Sequence, residues 1–92
     1  ETIETALLQH PAVLEAAVTA IPDDRLGELP VAAVRIRPGA AAPTDDALSV
    51  FLRTSLLATH IPARYLILDE LPRTPSMKVD RNALQGLFTA RI

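Results

Sequence analysis

The chain of 92 residues contains no cysteine and no tryptophan, and its aromatic residues are limited to Phe51, Tyr65 and Phe88. Without cysteine, the chain cannot contain a disulfide, a thiolate metal site or a cysteine nucleophile. Its two histidines, His10 and His60, are too few for a histidine-rich metal site. The residue types that usually carry redox chemistry and transition metals are therefore scarce or missing.

Long apolar runs and basic tracts are also missing. No stretch approaches the roughly 20 apolar residues of a membrane-spanning helix, and no basic, apolar-cored leader indicates secretion. The formal net charge of -2 argues against a protein that binds nucleic acid by neutralising phosphates. We therefore expect a cytoplasmic, globular protein with no nucleic-acid partner and no membrane span.

The length allows one small domain, and a hydrophobic content of 49% is enough for a core. The sequence begins with Glu1 rather than with methionine, so we expect a fragment of a longer protein. Residues 1–46 contain three arginines against eight acidic residues, whereas residues 47–92 contain six basic residues against three acidic ones. The second half would therefore attract polyphosphate ligands more than the first.

Lysine is nearly absent, since eight of the nine basic residues are arginines and the ninth is Lys78. A GC-rich genome explains most of such a bias. It would still leave a lysine where arginine cannot replace it.

Hydrophobic periodicity predicts six elements in the order α-β-β-α-β-α. Helices are expected at residues 2–9, 45–57 and 81–88, and strands at residues 13–21, 31–37 and 65–68. This order predicts an α+β domain of two layers, in which about three helices pack on a small three-stranded sheet. About nine residues join the first two strands, so a hairpin is possible but not required.

Local signals support several of these elements. Thr44 and Asp80 are the predicted N-caps of the second and third helices. The apolar stripe of the second helix runs from Leu48 to Leu56 with the spacing of a core-facing surface. In the second strand, Arg35 and Arg37 alternate with apolar residues. This alternation predicts that one face of the sheet is wet, that is, exposed to solvent.

Residues 69–81 have neither a helical nor a strand period. They contain two prolines and the three cations Arg73, Lys78 and Arg81. Prolines stiffen a loop, and a stiff loop would present one lysine at a defined place. Composition alone favours the alternative of an ordinary proline-rich connector before a helix.

Residues 71–84, LPRTPSMKVDRNAL, resemble the C-terminal signature of adenylate-forming enzymes, L-P-x-T-x-S/N-G-K-hydrophobic-x-R-x-x-L. These enzymes are acyl-CoA synthetases, aryl-CoA ligases, luciferases and the adenylation domains of nonribosomal peptide synthetases. Three earlier segments resemble family motifs in the same order: HPAVLEAAV at 10–18, PDDRLGELPVA at 22–32 and IPARYLILDELP at 61–72. The resemblance covers essentially the whole chain.

The resemblance implies that residues 1–92 are the C-terminal lid domain of an AMP-forming synthetase, with the N-terminal domain absent. It implies that Lys78 enters the active site when the acid is adenylated, and that the lid then rotates for thiol attack on the adenylate. The implied substrates and cofactors are a carboxylic acid, ATP with Mg bound mainly by the missing domain, and CoA. The implied partners are the N-terminal domain of the same chain and CoA or carrier-protein pantetheine. The chain alone is expected to be inactive.

One position departs from the family pattern, because Met77 stands where glycine normally precedes the lysine. If that position requires positive φ, methionine costs about 1–2 kcal/mol relative to glycine. The lysine would then be placed differently, or activity would be lower. The third alternative is a backbone that is simply extended.

Arg53 resembles in position a lid arginine that meets a CoA phosphate in some acetyl-CoA synthetases, and a solvated helix arginine is the favoured alternative. Arg81 could contact phosphate, but we expect it in the first turn of the last helix. Six other residues are assigned to turns, caps or the surface: His10, Asp23, Asp24, Gly27, Glu28 and His60.

Three functions follow from these observations. The leading one is the lid of an acyl-CoA synthetase, which the segment Gly27-Glu28-Leu29-Pro30-Val31 favours slightly. The second is the lid of a carrier-loading adenylation domain, because residues 78–81 resemble both groups equally. The third is a free-standing, non-catalytic α+β module, for which Met77 is a weak argument.

Overall fold

Three helices and three strands follow one another in the computed structural model, which describes residues 2–25, 27–56 and 60–90. The elements are α1 (Ile3–Leu8), β1 (Val13–Asp23), β2 (Gly27–Ile36), α2 (Asp45–Leu52), β3 (Arg64–Ile67) and α3 (Arg81–Ala90). The predicted α+β class, the element order and the three-stranded sheet are confirmed.

The sheet has the order β1-β2-β3, with β1 and β2 antiparallel and β2 and β3 parallel. The first two strands form a tight hairpin, because β1 continues to Asp23 and β2 starts at Gly27. Both strands are therefore longer than predicted at this end. Pro22 stays within β1 because an edge strand tolerates a residue without an N–H group. Gly27 has φ 82, a backbone conformation that glycine adopts without strain.

Helices cover both faces of the sheet, so the expectation of two layers with one wet face is wrong. Alternate residues of β2 supply the two cores. Ala32 and Val34 pack under α1 and α2, whereas Val31 and Ala33 pack under α3, and all four are fully buried. We refer to these surfaces as the α1/α2 face and the α3 face.

A bulge at the start of β1 changes which face its side chains occupy. The register runs from Val13↔Ile36 to Glu15↔Arg35, so one extra residue lies in β1 at this point. Val13 is consequently buried on the α1/α2 face. Glu15 shares the α3 face with Ala17, two residues further along the strand.

Side chains from both ends of the chain cover the outer edge of β1. The Glu4 carboxylate accepts a hydrogen bond from the Val18 N–H at 2.8 Å. Arg81 donates to the Val18 carbonyl and to Glu4 at 2.9 Å. Gln85 Nε2 donates to the Ala20 carbonyl at 2.6 Å. The position predicted for Arg81, in the first turn of the last helix, is confirmed.

The second helix is shorter than predicted. It ends at Leu52, and residues 57–59 lie outside the described part of the chain. The Thr54 hydroxyl donates to the Phe51 carbonyl at 2.7 Å, and such local side-chain hydrogen bonds compete with helical ones. Phe51 and Leu56 still pack against the α1/α2 core, as the apolar stripe predicted.

Both predicted N-caps are confirmed. The Thr44 hydroxyl accepts from the Ala47 N–H at 3.1 Å, and the Asp80 carboxylate accepts from the Ala83 N–H at 3.0 Å. The cap at Asp80 sets where α3 begins, immediately after the segment that contains Lys78.

Candidate functional site

Residues 72–80 form a small hairpin, which we call the lysine hairpin. Arg73 and Val79 pair as an antiparallel bridge. Towards the ends of the hairpin, the Asp80 N–H donates to the Pro72 carbonyl at 2.8 Å. Towards the turn, the Thr74 N–H donates to the Lys78 carbonyl at 2.7 Å. The segment without a sequence period is therefore a closed, hydrogen-bonded turn.

The tip of the lysine hairpin has the geometry of a type I turn followed by a left-handed residue. The Met77 N–H donates to the Thr74 carbonyl at 2.9 Å, and Pro75 occupies the second turn position, where its fixed φ fits. The Thr74 hydroxyl contacts the Ser76 hydroxyl at 3.0 Å and accepts from the Lys78 N–H at 3.3 Å. Thr74 thus fixes the backbone on both sides of the turn.

Met77 has φ 68 and is the one non-glycine residue with positive φ among those described. A left-handed residue commonly follows a type I turn in a three-residue hairpin loop, and glycine is preferred there. The alternative of an extended backbone is therefore wrong. The expected cost of about 1–2 kcal/mol for a side chain in this conformation applies. The side chain itself is 72% exposed.

Lys78 is exposed at the end of this turn. Its backbone is held by Thr74, but its ammonium forms no hydrogen bond or ion pair with the residues that the structure describes. The lysine hairpin therefore presents a free cation from a fixed backbone.

The lysine hairpin is attached to the α3 face of the sheet. Leu71, just before it, is 4% exposed and joins the α3-side core. Val79 packs against the same core. Arg73 forms an ion pair with Glu15 of β1 and donates to the Met77 carbonyl at 3.4 Å.

Glu15 binds two guanidinium groups at once. Its second oxygen accepts from Arg35 at 2.8 Å, directly across the β1–β2 pair. The hydrogen bond from Arg35 is the main reason that the pKa of Glu15 is lowered, and Arg73 adds to it against the opposing effect of burial. Arg35 is therefore a partner of Glu15 and not a solvated residue on a wet face.

A cleft of about 490 Å³ lies beside the lysine hairpin. Apolar and charged side chains line it together: Glu15, Arg35, Leu68, Glu70, Leu71, Pro72, Arg73, Met77 and Leu87. Since Met77 is one of its walls, the cleft adjoins the residue that precedes Lys78.

The structure does not bring Arg53 together with Lys78. Arg53 is the C-cap residue of α2 and is exposed, on the α1/α2 side of the sheet. The lysine hairpin lies on the opposite, α3 side. Beneath α2, Tyr65 is buried, and its hydroxyl lies 3.0 Å from that of Ser49. Burial is the main reason that the pKa of Tyr65 is raised.

Two histidines and an aspartate that the sequence assigned to turns, caps or the surface lie in such positions. His10 Nδ1 accepts from the Ala12 N–H at 3.1 Å, and its ring packs edge-on against Phe51 with centroids 4.8 Å apart. Asp23 accepts from the Arg25 N–H at 3.1 Å within the hairpin turn. The capping and turn roles expected of these residues are confirmed, and His60 is exposed as expected.

Two residues of this arrangement had no role assigned from the sequence. Glu15 carried no signal in the sequence because its partner Arg73 lies far from it along the chain. Its pairing with Arg35 would follow only from the register of a hairpin whose length was left open. Thr74 was part of the quoted motif, and the proline that follows it, which favours the second position of a turn, was the signal for its role.

The described residues contain neither a helix that could span a membrane nor a cluster suited to a metal ion. No helix in residues 2–25, 27–56 and 60–90 has the length and apolar character needed to cross a membrane. Within the same ranges, no cluster of three or more histidine, aspartate or glutamate side chains is arranged to hold a metal ion.

Comparison with known proteins gives consistent matches. Residues 2–78 match the family model of the AMP-binding enzyme C-terminal domain. The chain is 41% identical to a 2-succinylbenzoate–CoA ligase of Geobacillus kaustophilus, over 94% of this chain and 17% of the relative. It is 46% identical to triostin synthetase I of Streptomyces triostinicus, over 95% of this chain and 16% of the relative.

Comparison with solved structures gives a match that is consistent with these relatives. An acyl-CoA synthetase of Brucella canis superposes with a TM-score of 0.84 at 36% identity, covering 96% of this chain and 17% of that protein. The chain thus spans about one-sixth of the length of the proteins that it matches.

Proposed function

The chain belongs to the family of AMP-binding enzyme C-terminal domains, and we propose that residues 1–92 are the lid of a longer AMP-forming acid–thiol ligase, an acyl-CoA synthetase. Support comes from the relatives, among which are a 2-succinylbenzoate–CoA ligase and a 4-chlorobenzoate–CoA ligase. The small share of each relative that the chain covers supports a missing N-terminal domain that binds ATP and the acid. This domain is then the main partner of the chain.

Lys78 is the proposed catalytic residue of the adenylation step. In that step a substrate carboxylate oxygen attacks the α-phosphorus of ATP, the bond to the β-phosphate oxygen breaks, and pyrophosphate leaves. Negative charge builds on the phosphoryl oxygens, and a cation that touches both the carboxylate and the α-phosphate aligns and stabilises them. The observation that carries this assignment is the exposed Lys78 ammonium, unpaired among the described residues, on a hydrogen-bonded turn.

Lysine fits this task better than the arginine that the chain otherwise uses. Its ammonium is a compact point charge on a flexible stem, whereas a guanidinium is planar and binds best in a bidentate geometry. A compact cation can lie between two anions without the two needing to be coplanar.

The described residues offer no set of side chains suited to the Mg²⁺ that accompanies ATP. Two of the carboxylates near the lysine hairpin have other partners, since Glu15 holds two arginines and Asp80 caps α3.

The thiol step would use the other side of the lid. Lys78 and Arg53 lie on opposite faces of the sheet, so a rotation of the lid would exchange one for the other at the active site. In this proposal Arg53 binds a phosphate of CoA. Replacing Arg53 with alanine should then raise the KM for CoA and leave the adenylation rate unchanged.

The decisive experiment measures the two half-reactions separately in the full-length enzyme. Lys78→Ala should strongly reduce ATP–pyrophosphate exchange and spare thioester formation from supplied acyl-adenylate. Arg64→Ala, which removes another exposed cation, at the start of β3, is the matched control and should change neither rate. Equal losses in both half-reactions for Lys78→Ala would contradict the assigned role.

A carrier protein is the second candidate acceptor, and one relative favours it. This relative is a fatty acid–[acyl-carrier-protein] ligase of Streptomyces coeruleorubidus at 42% identity. Offering the enzyme CoA and a pantetheine-bearing carrier protein in parallel distinguishes the acceptors, because only the true one should yield a thioester at a substantial rate.

The size of the native polypeptide tests both candidates together. An antibody against this chain should detect a protein several times larger, and a very large multidomain protein would favour carrier loading. A band of the size of this chain would mean a free-standing module without an adenylation site. The isolated chain is expected to be inactive in either half-reaction.

A further inference from the structure

Glu15 connects the sheet to the lysine hairpin through a chain of charged contacts. One carboxylate oxygen accepts from Arg35 of β2 at 2.8 Å, and the other accepts from Arg73. The Arg73 guanidinium also donates to the Met77 carbonyl at 3.4 Å. That carbonyl belongs to the peptide bond between Met77 and Lys78, so two consecutive contacts lead from Glu15 in the sheet to the backbone of the lysine.

The bulge in β1 makes this link possible. Side chains alternate along a strand, so without the extra residue Glu15 would lie on the same face as Val13, which packs under α1 and α2. Bulges redirect side chains in this way. Because of the register shift between Val13 and Glu15, the carboxylate lies on the face that carries the lysine hairpin.

The tip of the lysine hairpin needs such support. Met77 is held at φ 68, which is unfavourable for a residue with a side chain. Its side chain is 72% exposed and adds little packing to hold it there. The contact from Arg73 to its carbonyl therefore contributes to fixing this peptide, and Glu15 orients Arg73.

We propose that Glu15 is a positioning residue for Lys78, acting through Arg73 and the Met77 carbonyl. This inference rests on the proposed function of Lys78. Glu15 touches no substrate in this scheme. Its carboxylate keeps the turn in the one conformation that presents the ammonium, and losing it would let the lysine hairpin tilt on its apolar anchors.

The test compares Glu15→Gln with Glu70→Gln in the full-length enzyme. Glu70 lines the same cleft, is exposed and forms no ion pair with the described residues, so it is the matched control. Glu15→Gln should slow ATP–pyrophosphate exchange roughly tenfold, because small displacements of a catalytic group are costly. Thioester formation from supplied adenylate should stay within about twofold of wild type. Arg73→Gln, which breaks the same link from its other end, should reproduce this selective loss.

A double-variant series separates a positioning role from general damage. In the Lys78→Ala background, Glu15→Gln should cause no further loss of the residual exchange, because residues that act as one unit are not additive. A further loss there, or equal losses in both half-reactions, would overturn the positioning role.

The same series distinguishes failure of this inference from failure of the proposed function. If Lys78→Ala leaves exchange intact, the function assigned to Lys78 is wrong, whatever Glu15 does. If Lys78→Ala removes exchange but Glu15→Gln behaves like Glu70→Gln, the positioning role alone is wrong.

Discussion

Glu15 and Arg73 form an ion pair although 58 positions separate them in the sequence. The pair joins the first strand to the segment that ends at Lys78. Since Arg35 binds the other carboxylate oxygen, Glu15 is the centre of a three-residue charge cluster with side chains that are 27–38% exposed. At this exposure solvent screens part of the attraction.

The charge cluster predicts a pH-dependent contribution to stability. The pKa of Glu15 is lowered below its ordinary value of 4.5, first by Arg35 and also by Arg73. A carboxylate that is easier to ionise in the folded state stabilises the fold above pH 4.5, and the contribution is lost as the pH falls through the lowered value. Urea unfolding should show wild type more stable than Glu15→Gln at pH 7, by at most about 1 kcal/mol, and the difference should shrink as the pH falls through the lowered pKa of Glu15.

The control for this prediction removes both partners. In an Arg35→Gln/Arg73→Gln background, replacing Glu15 should no longer produce a pH-dependent difference. A difference that persists there would assign the effect to another group.

The positive φ of Met77 predicts that replacing this residue with glycine stabilises the domain. Met77→Gly should relieve the positive φ, which costs about 1–2 kcal/mol, against the loss of up to about 1 kcal/mol from a more flexible unfolded chain. We expect a net gain of about 0.5–1 kcal/mol, which corresponds to a Tm increase of roughly 2–8 °C for a domain of this size. Met77→Ala keeps the Cβ and the strain, so it should give no comparable gain, and equal gains for both variants would contradict the backbone explanation.

The capping hydrogen bond of Asp80 predicts a loss of stability when this residue is replaced with alanine. Asp80→Ala removes the oxygen that accepts from the Ala83 N–H and should lower the free energy of unfolding by about 1 kcal/mol. Asp80→Asn keeps an accepting oxygen and should retain most of the stability. Urea denaturation of the two variants measures the difference, and equal losses would mean that the cap is not the cause.

The buried phenol of Tyr65 predicts a second pH dependence of stability, at alkaline pH. Burial raises its pKa above the ordinary value of 10.0. The folded state therefore disfavours the phenolate, and stability should decline as the pH rises past 10. Tyr65 is the one tyrosine and tryptophan is absent, so phenolate absorbance follows this group directly. The midpoint should be higher in native buffer than in urea.

Ser49 provides the control for Tyr65. Its hydroxyl lies 3.0 Å from the phenol oxygen, and this hydrogen bond lowers the pKa against the effect of burial. Ser49→Ala should therefore move the native midpoint further upwards. A midpoint in native buffer equal to that in urea would contradict the burial of the phenol.

The sequence predicted the local features well because local chemistry determines them. Thr44 and Asp80 cap their helices through bonds to residues three positions away, and such patterns are readable without tertiary information. The strand ends were less predictable. Pro22 and Asp23 have the composition of a turn, and only the edge position of β1 allows them to continue the strand.

The missed features depend on contacts between distant segments. Arg35 suggested a solvated face, but Glu15 and the lysine hairpin reach it from elsewhere in the chain. The conformation of Met77 follows from the turn that Thr74 closes, and a methionine gives no sign of positive φ. The candidate site could thus be located from its motif, whereas its support could not.

The covered edge of β1 has a consequence for how the domain is made. The outward backbone groups of Val18 and Ala20 are paired partly by Arg81 and Gln85, which lie in the last helix. An unpaired strand edge is a template for intermolecular pairing. A nascent or proteolysed chain that stops before residue 81 would expose this edge, so resistance to aggregation is acquired only when α3 has been synthesised and docked.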